Sequence, residues 1–413
     1  MGLKAGIVGL PNVGKSTLFN AITKSNVEAA NYPFATINPN TGMVIVKDKR
    51  IDFLSSIFNP KKKIYTAIEF YDIAGLVKGA SHGEGLGNQF LSNIRETDAI
   101  LHLVRCFENN EIIHVENTVD PIRDVEIINL ELIMADLDSC QKRIDKVSNK
   151  ARVAKDKAAI FEMGILSKIK ETLEAEKPVR SIDSFTEEEK IFMKANYNFL
   201  TGKPVIYVGN VNDADYADLD NCSHYQALKQ YAEKENAQVV PISCQIEMDI
   251  AQLDEEEQKE FLETLGVDEP GLDKVVKATY KLLNLSTFFT VGADECRAWT
   301  FKNGMTAPQC AGTIHTDFQK GFIKAEVYSY DDFVVYKSET ALKEAGKIRM
   351  EGKEYVAKDG DIFFFRFNVW WELVFQKIFI VLLKEDHSFL AELKLKQIMD
   401  FWVIAMLTYY FMR

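Results

Sequence analysis

The sequence predicts an α/β fold built around a parallel sheet, with a helical insertion and a smaller α+β domain toward the C-terminus. Residues 5–8 form a short apolar run, residues 9–16 a Gly-rich turn, and residues 17–22 have the composition of a helix start. Apolar runs at residues 99–104 and 203–209 predict two further buried strands. A buried strand followed by a turn and a helix is typical of proteins with a parallel sheet.

The Gly-rich turn reads GLPNVGKS, the pattern of a phosphate-binding loop (P-loop). Its backbone N–H groups and the positive end of the following helix are suited to hold α- and β-phosphates. Lys15 is placed to reach the β- and γ-phosphates, and the Ser16 hydroxyl to bind Mg²⁺. The glycines at positions 9 and 14 let the backbone curl around the anion. We therefore predict a nucleotide site formed by Asn12, Val13, Gly14, Lys15, Ser16 and Thr17.

A second motif narrows the class to nucleotide switches of the Ras-like kind. An apolar strand ends at Asp72, which begins Asp-x-x-Gly and is placed to hold Mg²⁺ through water, with the Gly75 N–H sensing the γ-phosphate. Between the two motifs lies the loop NYPFAT, whose Thr36 is the favoured second hydroxyl ligand of the metal. We predict catalytic roles for Lys15, Asp72 and Gly75, and Mg²⁺ ligation by Ser16 and Thr36.

One position departs from ordinary Ras-like enzymes. Leu76 follows the Asp-x-x-Gly motif, where those enzymes carry the glutamine that orients the attacking water. Two interpretations of Asn12 stay open here. It either helps coordinate a monovalent cation such as K⁺ beside the phosphates, or only shapes the loop.

The base-recognition motif is incomplete for guanine. After the strand at residues 203–209 comes Asn-Val-Asn-Asp, with Val211 where a guanine site has lysine and Asp213 in the acidic position. Residues 239–245 resemble the strand and turn that close the base pocket, but they lack Ser-Ala-Lys. We expect Asn210 and Val211 to contact the base, and adenine to fit at least as well as guanine.

These motifs together resemble the YchF (Obg-like ATPase) family. The matching segments are GLPNVGKST, NYPFAT, the Asp72 motif DIAGLVKGA with GEGLGN after it, NVND, and GTIHTDFQKGFI near the C-terminus. The resemblance runs from residue 1 to about 369. It implies an ATPase within the translation-factor-like GTPase class that binds ATP at least as well as GTP, associates with the ribosome and is linked to stress responses. Asp213 departs from the glutamate more usual in that family.

About a hundred residues separate the strands at 99–104 and 205–209, too many for one crossover helix. We predict an α-helical hairpin, or coiled coil, inserted at residues 122–200 of a nucleotide domain spanning residues 1–280. Residues 142–157 carry seven Lys or Arg against two Asp. Such a run is usually a solvated helix face, and an RNA-contacting tip is the competing interpretation.

Residues 281–368 change character to short strands with Gly turns, typical of a small α+β domain. The resemblance implies a ubiquitin-like TGS domain there. Residues 369–413 form an atypical hydrophobic extension, for which we weigh a membrane-surface anchor against a segment of no evolved function, and favour the second.

Composition limits the partners and the compartment. The chain of 413 residues has a net charge of −12, which argues against indiscriminate binding of nucleic acid or anionic membrane. Its six scattered cysteines suit reduced thiols in a cytoplasmic protein without a signal peptide. We expect an ATPase (GTP possible) that binds Mg²⁺ and contacts the ribosomal large subunit or its RNA, without stable membrane association. The rivals are a GTP-specific ribosome-assembly GTPase and a nucleotide-gated binding module.

Overall fold

A computed structural model describes residues 3–24, 40–73, 86–153 and 155–368 of the chain. The chain divides into two units: unit 1 comprises residues 1–46 and 67–283, and unit 2 comprises residues 47–66 and 284–413. Within the described residues the strands are β1 (Lys4–Val8), β2 (Thr41–Val46), β3 (Lys62–Ile64), β4 (Thr66–Asp72), β5 (Ala99–Arg105), β6 (Val205–Asn210), β7 (Gln238–Ile242), β8 (Leu285–Thr290), β9 (Glu295–Lys302), β10 (Phe322–Ser329), β11 (Arg349–Glu351) and β12 (Asp361–Phe367).

The helices of the same described ranges are α1 (Lys15–Lys24), α2 (Lys49–Phe58), α3 (Leu86–Arg95), α4 (Pro121–Arg152), α5 (Lys157–Glu174), α6 (Glu187–Asn196), α7 (Asp213–Tyr216), α8 (Ser223–Lys234), α9 (Cys244–Ile250), α10 (Glu255–Leu265), α11 (Gly271–Leu282), α12 (Ala307–Ile314), α13 (Thr316–Lys320), α14 (Tyr330–Tyr336) and α15 (Glu339–Glu344). A short 3-10 helix, Val179–Ser181, lies between α5 and α6.

The sheet of unit 1 has the order β2-β4-β1-β5-β6-β7 among the described residues. The pairs β1–β4, β1–β5, β5–β6 and β6–β7 are all parallel. β5 and β6 are buried along their whole length, as the apolar runs predict for central strands of a parallel sheet. Because the strands are parallel, β1, β4, β5, β6 and β7 end at one edge of the sheet, which is where ligands bind in open α/β folds.

The insertion between β5 and β6 contains a helical hairpin, as predicted. α4 begins with Pro121 in its first turn, and the Asp120 side chain accepts hydrogen bonds from the N–H groups of Ile122 and Arg123. α5 begins in the same way, because the Asp156 side chain accepts from two N–H groups of its first turn. The two helices enclose a core that includes Cys140, Ile165, Leu166 and Ile169.

A buried carboxylate anchors this insertion to the chain that returns to the sheet. Asp136 of α4 is 1% exposed and accepts hydrogen bonds from the N–H groups of Leu200 (2.9 Å) and Thr201 (2.8 Å). The Thr201 hydroxyl donates to the same carboxylate at 2.7 Å. The base of the hairpin is therefore fixed just before β6 begins.

Unit 2 has its own sheet, with the order β11-β10-β12-β8-β9-β3 among the described residues. Two hydrophobic cores lie on opposite faces of β12, because successive side chains of a strand point to opposite faces. Phe363 belongs to the first core and its neighbour Ile362 to the second. α2 packs into the second core through Ile51 and Leu54. The assignment of this α+β unit as a TGS domain stays a prediction.

Residues 47–66 belong to unit 2, although they lie within the predicted nucleotide domain of residues 1–280. β3 within this segment pairs in parallel with β9 of unit 2. The register places Lys62 beside Glu295 and Ile64 beside Arg297. The segment joins unit 2 because its strand and α2 find their partners there.

The described part of the chain contains no helix long and apolar enough to cross a membrane. The hydrophobic extension at residues 369–413, for which we weighed an anchor, lies outside the described residues.

Candidate functional site

The phosphate-binding loop lies between β1 and α1 and is closed by its own lysine. The Lys15 ammonium donates hydrogen bonds to the carbonyl oxygens of Gly9 (2.9 Å) and Leu10 (2.7 Å). At the other end the Leu18 N–H donates to the Gly14 carbonyl at 2.9 Å, which starts the ladder of α1. The loop therefore curls around an open centre toward which the helix N-terminus is directed.

Two glycines are required by close contacts in this loop. A Cβ atom at Gly9 would lie 2.4 Å from the carbonyl oxygen of Leu103. Gly14 has φ = +105°, and a Cβ atom there would lie 2.5 Å from the side-chain nitrogen of Asn210. The loop can approach β5 and β6 only without side chains at these two positions.

A cavity of about 740 Å³ opens at this loop, at the carboxyl edge of the sheet. Its volume lies in the range of small-molecule sites, roughly 300–1,000 Å³. Its lining brings together predicted residues from three segments that are far apart in sequence: Asn12, Gly14, Lys15, Ser16, Thr17, Asp72, Asn210 and Val211. Of the other predicted residues, Val13 accepts a hydrogen bond from the Asn210 side chain through its backbone carbonyl. Thr36 and Gly75 lie outside the described residues, and so does Leu76.

The phosphate end of the cavity holds one desolvated cation facing one carboxylate. Lys15 is only 8% exposed, and burial lowers the pKa of its ammonium to about 8, although the negative charge of Asp72 opposes this. Burial also raises the pKa of the Asp72 carboxyl, opposed by the positive charge of Lys15. A phosphate entering this end would restore to Lys15 the favourable charge environment that burial removes.

The donors near the phosphate loop fit a Mg²⁺ ion that shares its ligands with a nucleotide. Ser16 and Asp72 line the same cavity, and no protein donor binds the Asp72 carboxylate within the described ranges. Across these residues no cluster of three or more His, Cys, Asp or Glu could hold a metal alone. This arrangement suits Mg²⁺, which keeps waters and substrate phosphates among its ligands.

Asn210 ties the base end of the cavity to the phosphate end. Its side-chain nitrogen donates to the Val13 carbonyl at 2.9 Å, and its side-chain oxygen accepts from the Cys244 N–H at 3.0 Å. One N–H bond of the amide remains for a ligand. The Val211 N–H donates to the Ile242 carbonyl at 2.9 Å, so the backbone group that Val211 can offer a base is its carbonyl.

The Asp213 side chain is hydrogen-bonded to the turn that follows β7. The Ser243 hydroxyl donates to the Asp213 carboxylate and also accepts from the Ile246 N–H at 3.3 Å, capping α9. An ionised carboxylate has about four acceptor positions, so this contact orients Asp213 and leaves acceptors for a base. The departure from an intact Asn-Lys-x-Asp motif is Val211 in the lysine position.

One wall of the cavity was missed by the sequence analysis. Phe107, Asn109 and Ile112, in the loop after β5, line the cavity. This loop is shaped by Arg105, whose guanidinium donates to the carbonyls of those same three residues at 3.0–3.1 Å. The available signal was an arginine ending an otherwise apolar strand, since a 1%-exposed guanidinium must find acceptors nearby.

Asn12 joins this wall to the phosphate loop. It adopts φ = 62°, and its side-chain nitrogen donates to the Ile113 carbonyl at 3.0 Å. Between the two interpretations of Asn12, this contact favours a role in shaping the loop.

Comparison with known proteins gives a consistent result. A family profile described as "50S ribosome-binding GTPase" matches residues 4–137. A second, for the C-terminal region of YchF GTPases and described as "Protein of unknown function (DUF933)", matches residues 285–368. The chain is 56% identical over 369 residues to "Ribosome-binding ATPase YchF" of Bacillus subtilis, covering 89% of this chain and all of that protein. The protein of the same name from Escherichia coli O157:H7 is 54% identical with the same coverage.

Among solved structures, the "Schizosaccharomyces pombe YchF GTPase" superposes with a TM-score of 0.80 at 40% identity. The match covers 88% of this chain and 98% of that one. The names of these relatives include both ATPase and GTPase, so the names alone leave the base preference open.

Proposed function

The chain belongs to the YchF family, and we propose that it is a Mg²⁺-dependent ATPase that associates with the ribosome and switches with its nucleotide state. It hydrolyses ATP to ADP and phosphate, with GTP as an alternative substrate. The observation that carries the preference is the altered base motif that lines the cavity, where Val211 stands in the lysine position and residues 243–245 lack Ser-Ala-Lys.

At the phosphate end, hydrolysis proceeds by direct attack of water on the γ-phosphate, without a covalent intermediate. Lys15 exchanges its carbonyl partners for the β- and γ-phosphate oxygens and neutralises their charge. Bound Mg²⁺ would neutralise the same oxygens, held by the hydroxyls of Ser16 and Thr36, with Asp72 bound through water. The Gly75 N–H senses the γ-phosphate, and catalysis comes from positioning and charge neutralisation.

At the base end, the free N–H of Asn210 donates to the purine ring and Val211 packs against it. Neither group distinguishes adenine from guanine, because both purines present a ring acceptor and an apolar face. Phe107 and Ile112 supply the opposite apolar wall. Such a pocket accepts adenine without the contacts that a strict guanine site requires.

The alternative K⁺ role of Asn12 has weaker support than a structural one. The side-chain nitrogen of Asn12 donates to the Ile113 carbonyl, which is direct support for the structural role. A cation would bind the side-chain oxygen instead, so the two roles are compatible and only the structural one has a contact behind it. The two roles are distinguished by measuring the rate of ATP hydrolysis in a K⁺ buffer and in a Na⁺ buffer of the same concentration. Equal rates in the two buffers mean that Asn12 acts by shaping the loop.

The relatives support an association with the ribosome. They are named "Ribosome-binding ATPase", and the profile that matches residues 4–137 is described as a 50S ribosome-binding GTPase. We extend this to contact with the large subunit and its RNA, and therefore to a cytoplasmic location.

Phosphate release from ATP and from GTP, with and without ribosomes, tests the enzymatic part. We expect ATP turnover that falls by about 100-fold or more in Lys15→Ala, because one phosphate-neutralising cation is lost. Lys229→Ala, which removes an exposed lysine of α8, is the matched control and should retain the rate. An unchanged rate in Lys15→Ala would refute hydrolysis at this site.

A second candidate is a nucleotide-gated binding module in which hydrolysis is incidental. Leu76 favours it, because an apolar side chain cannot orient the attacking water. Under this alternative, Lys15→Ala would abolish turnover but retain full function in cells.

A further inference from the structure

Among the described residues, the far end of the helical hairpin carries several exposed cations without a salt bridge to a carboxylate. We call residues 146–153 and 155–160, which comprise the last turns of α4, the first turn of α5 and the described residues between them, the hairpin tip. Its exposed cationic side chains are Lys146, Lys150, Arg152, Lys155 and Lys157. Within the described residues none of them forms an ion pair with a carboxylate.

The contrast with the neighbouring cations is direct. One turn earlier on α4, Lys142 pairs with Asp138 at 2.6 Å and Arg143 pairs with Glu162 at 2.6 Å. The only carboxylate within the tip, Asp156, caps the N-terminus of α5. The tip therefore has five cations against one anion in a chain whose net charge is −12.

The same tip exposes apolar surface. A cleft of about 410 Å³ between α4 and α5 is lined by Ser148, Ala151, Arg152, Ile160 and Met163. Ile160 at its edge is 51% exposed, and Val153 in the adjoining turn is 75% exposed. A solvated helix face would not require these apolar side chains, whereas a binding surface uses them beside its charges.

The tip also lies at the opposite end of α4 from the loop that lines the cavity. Residues 146–152 lie 25 or more positions beyond the start of α4 at Pro121, or about 38 Å along the helix axis at about 1.5 Å per residue. Asp136 fixes the base of the hairpin near β6, so the tip projects from an anchored base. Changes at the tip should leave the chemistry of the cavity intact.

We propose that the hairpin tip is the surface of this protein that binds ribosomal RNA. This inference rests on the ribosome association proposed above and specifies the site and the partner chemistry. Cations on both helices and the turn match a phosphate backbone, and the apolar cleft between them gives an exposed base a face to cover. An acidic protein segment is the competing partner, and the experiment separates the two.

The test compares the full chain with Lys146→Ala/Lys150→Ala/Arg152→Ala, since alanine keeps the helix and removes three charges. The control is Lys194→Ala/Lys229→Ala/Lys234→Ala, which removes three exposed helical lysines outside the tip. Each protein is sedimented with salt-washed ribosomes and titrated with protein-free ribosomal RNA at several salt concentrations. ATP turnover without ribosomes is measured in parallel.

We expect the tip variant to lose at least about 10-fold in affinity for both ribosomes and RNA, with the slope of log affinity against log salt smaller by about 2–3. The basal ATP turnover of the tip variant should be unchanged. The control variant should bind ribosomes and RNA like the wild-type protein. Loss of ribosome binding with RNA binding retained would replace RNA by a ribosomal protein and overturn the proposal. Unchanged binding to both would also overturn it. Failure of wild-type protein to bind ribosomes would instead refute the proposed association itself.

Discussion

The side-chain nitrogen of Asn210 lies 2.9 Å from the carbonyl oxygen of Val13 and donates a hydrogen bond to it. The same amide accepts from the Cys244 N–H, so one buried side chain joins the phosphate loop to the turn at which α9 begins. The two ends of the cavity are thereby held at a set separation. Nucleotide affinity should therefore depend on the two hydrogen bonds that this amide makes within the protein, apart from any contact with the nucleotide.

Asn210→Ala should weaken ATP and GTP binding by about 10-fold or more and leave their ratio unchanged. The change leaves the Val13 carbonyl and the Cys244 N–H buried without partners, at about 1–3 kcal/mol each. Titration of both nucleotides measures this, with the exposed Asn221→Ala as control. A selective loss of one nucleotide would mean that Asn210 discriminates between the bases.

Gly14→Ala should abolish nucleotide binding in a protein that still folds. The new methyl group would meet the Asn210 side chain at 2.5 Å, on a backbone whose φ of +105° disfavours any L side chain. Gly164→Ala in α5 is the matched control, because its Cβ atom meets nothing within 4 Å and should stabilise the helix by about 0.5–1 kcal/mol. Retained nucleotide affinity in Gly14→Ala, measured by titration beside a thermal melt, would contradict the loop geometry described here.

ATP binding should take up a proton at alkaline pH. The Lys15 pKa of about 8 in the free protein means that the amine is largely neutral at pH 8.5, and bound phosphate raises this pKa by favouring the charged form. Affinity should therefore fall as the pH rises above about 8. Calorimetry in two buffers of different ionisation enthalpy should show proton uptake at pH 8.5 that is clearly larger than the uptake at pH 6.5.

Lys15→Arg is the control for this uptake, because an arginine stays charged throughout the range and should remove it. Identical heats in the two buffers at pH 8.5 with wild-type protein would show that Lys15 is already charged before ATP binds.

Glu247 should make the stability of the nucleotide domain depend on pH near neutrality. This 3%-exposed carboxylate of α9 accepts the Gly271 N–H at 2.7 Å, and burial raises its pKa to about 7 from 4.5. Because the folded chain keeps a proton that the unfolded chain releases, the free energy of unfolding should decline as the pH rises from about 4.5 to 7.

Glu247→Gln removes this titration. The difference in melting temperature between Glu247→Gln and wild type should increase from pH 5 to pH 8. The increase should be about 2–4 °C for each kcal/mol of unfolding free energy that the wild-type protein loses over this range. Glu263→Gln, at an exposed position of α10, should show no such trend. An offset for Glu247→Gln that stays constant across the pH range would argue against a raised pKa.

Much of the nucleotide site could be predicted from the sequence, because its motifs are local. The phosphate loop needs a strand, a Gly-rich turn and a helix within about 20 residues, and all three are legible in the chain. Asp72 and Asn210 each end a strand of the same parallel sheet, so their convergence follows from topology. Thr36 and Gly75 stay predictions of this kind.

The parts that could not be predicted depend on tertiary partners. The wall formed by Phe107 and Ile112 exists because Arg105 gathers the carbonyls of its loop, which no local pattern encodes. β3 has three residues and no apolar alternation, and its partner β9 lies more than 200 positions away. A strand's sequence indicates its burial and says little about which sheet it will join.

The most direct test of the account is equilibrium binding of ATP and GTP to the purified protein with Mg²⁺, in competition for the one site. The altered base motif, with Val211 in the lysine position and no Ser-Ala-Lys at residues 243–245, predicts that ATP binds at least as tightly as GTP. A strong preference for GTP would contradict the ATPase assignment and identify the chain as a guanine-specific member of its class.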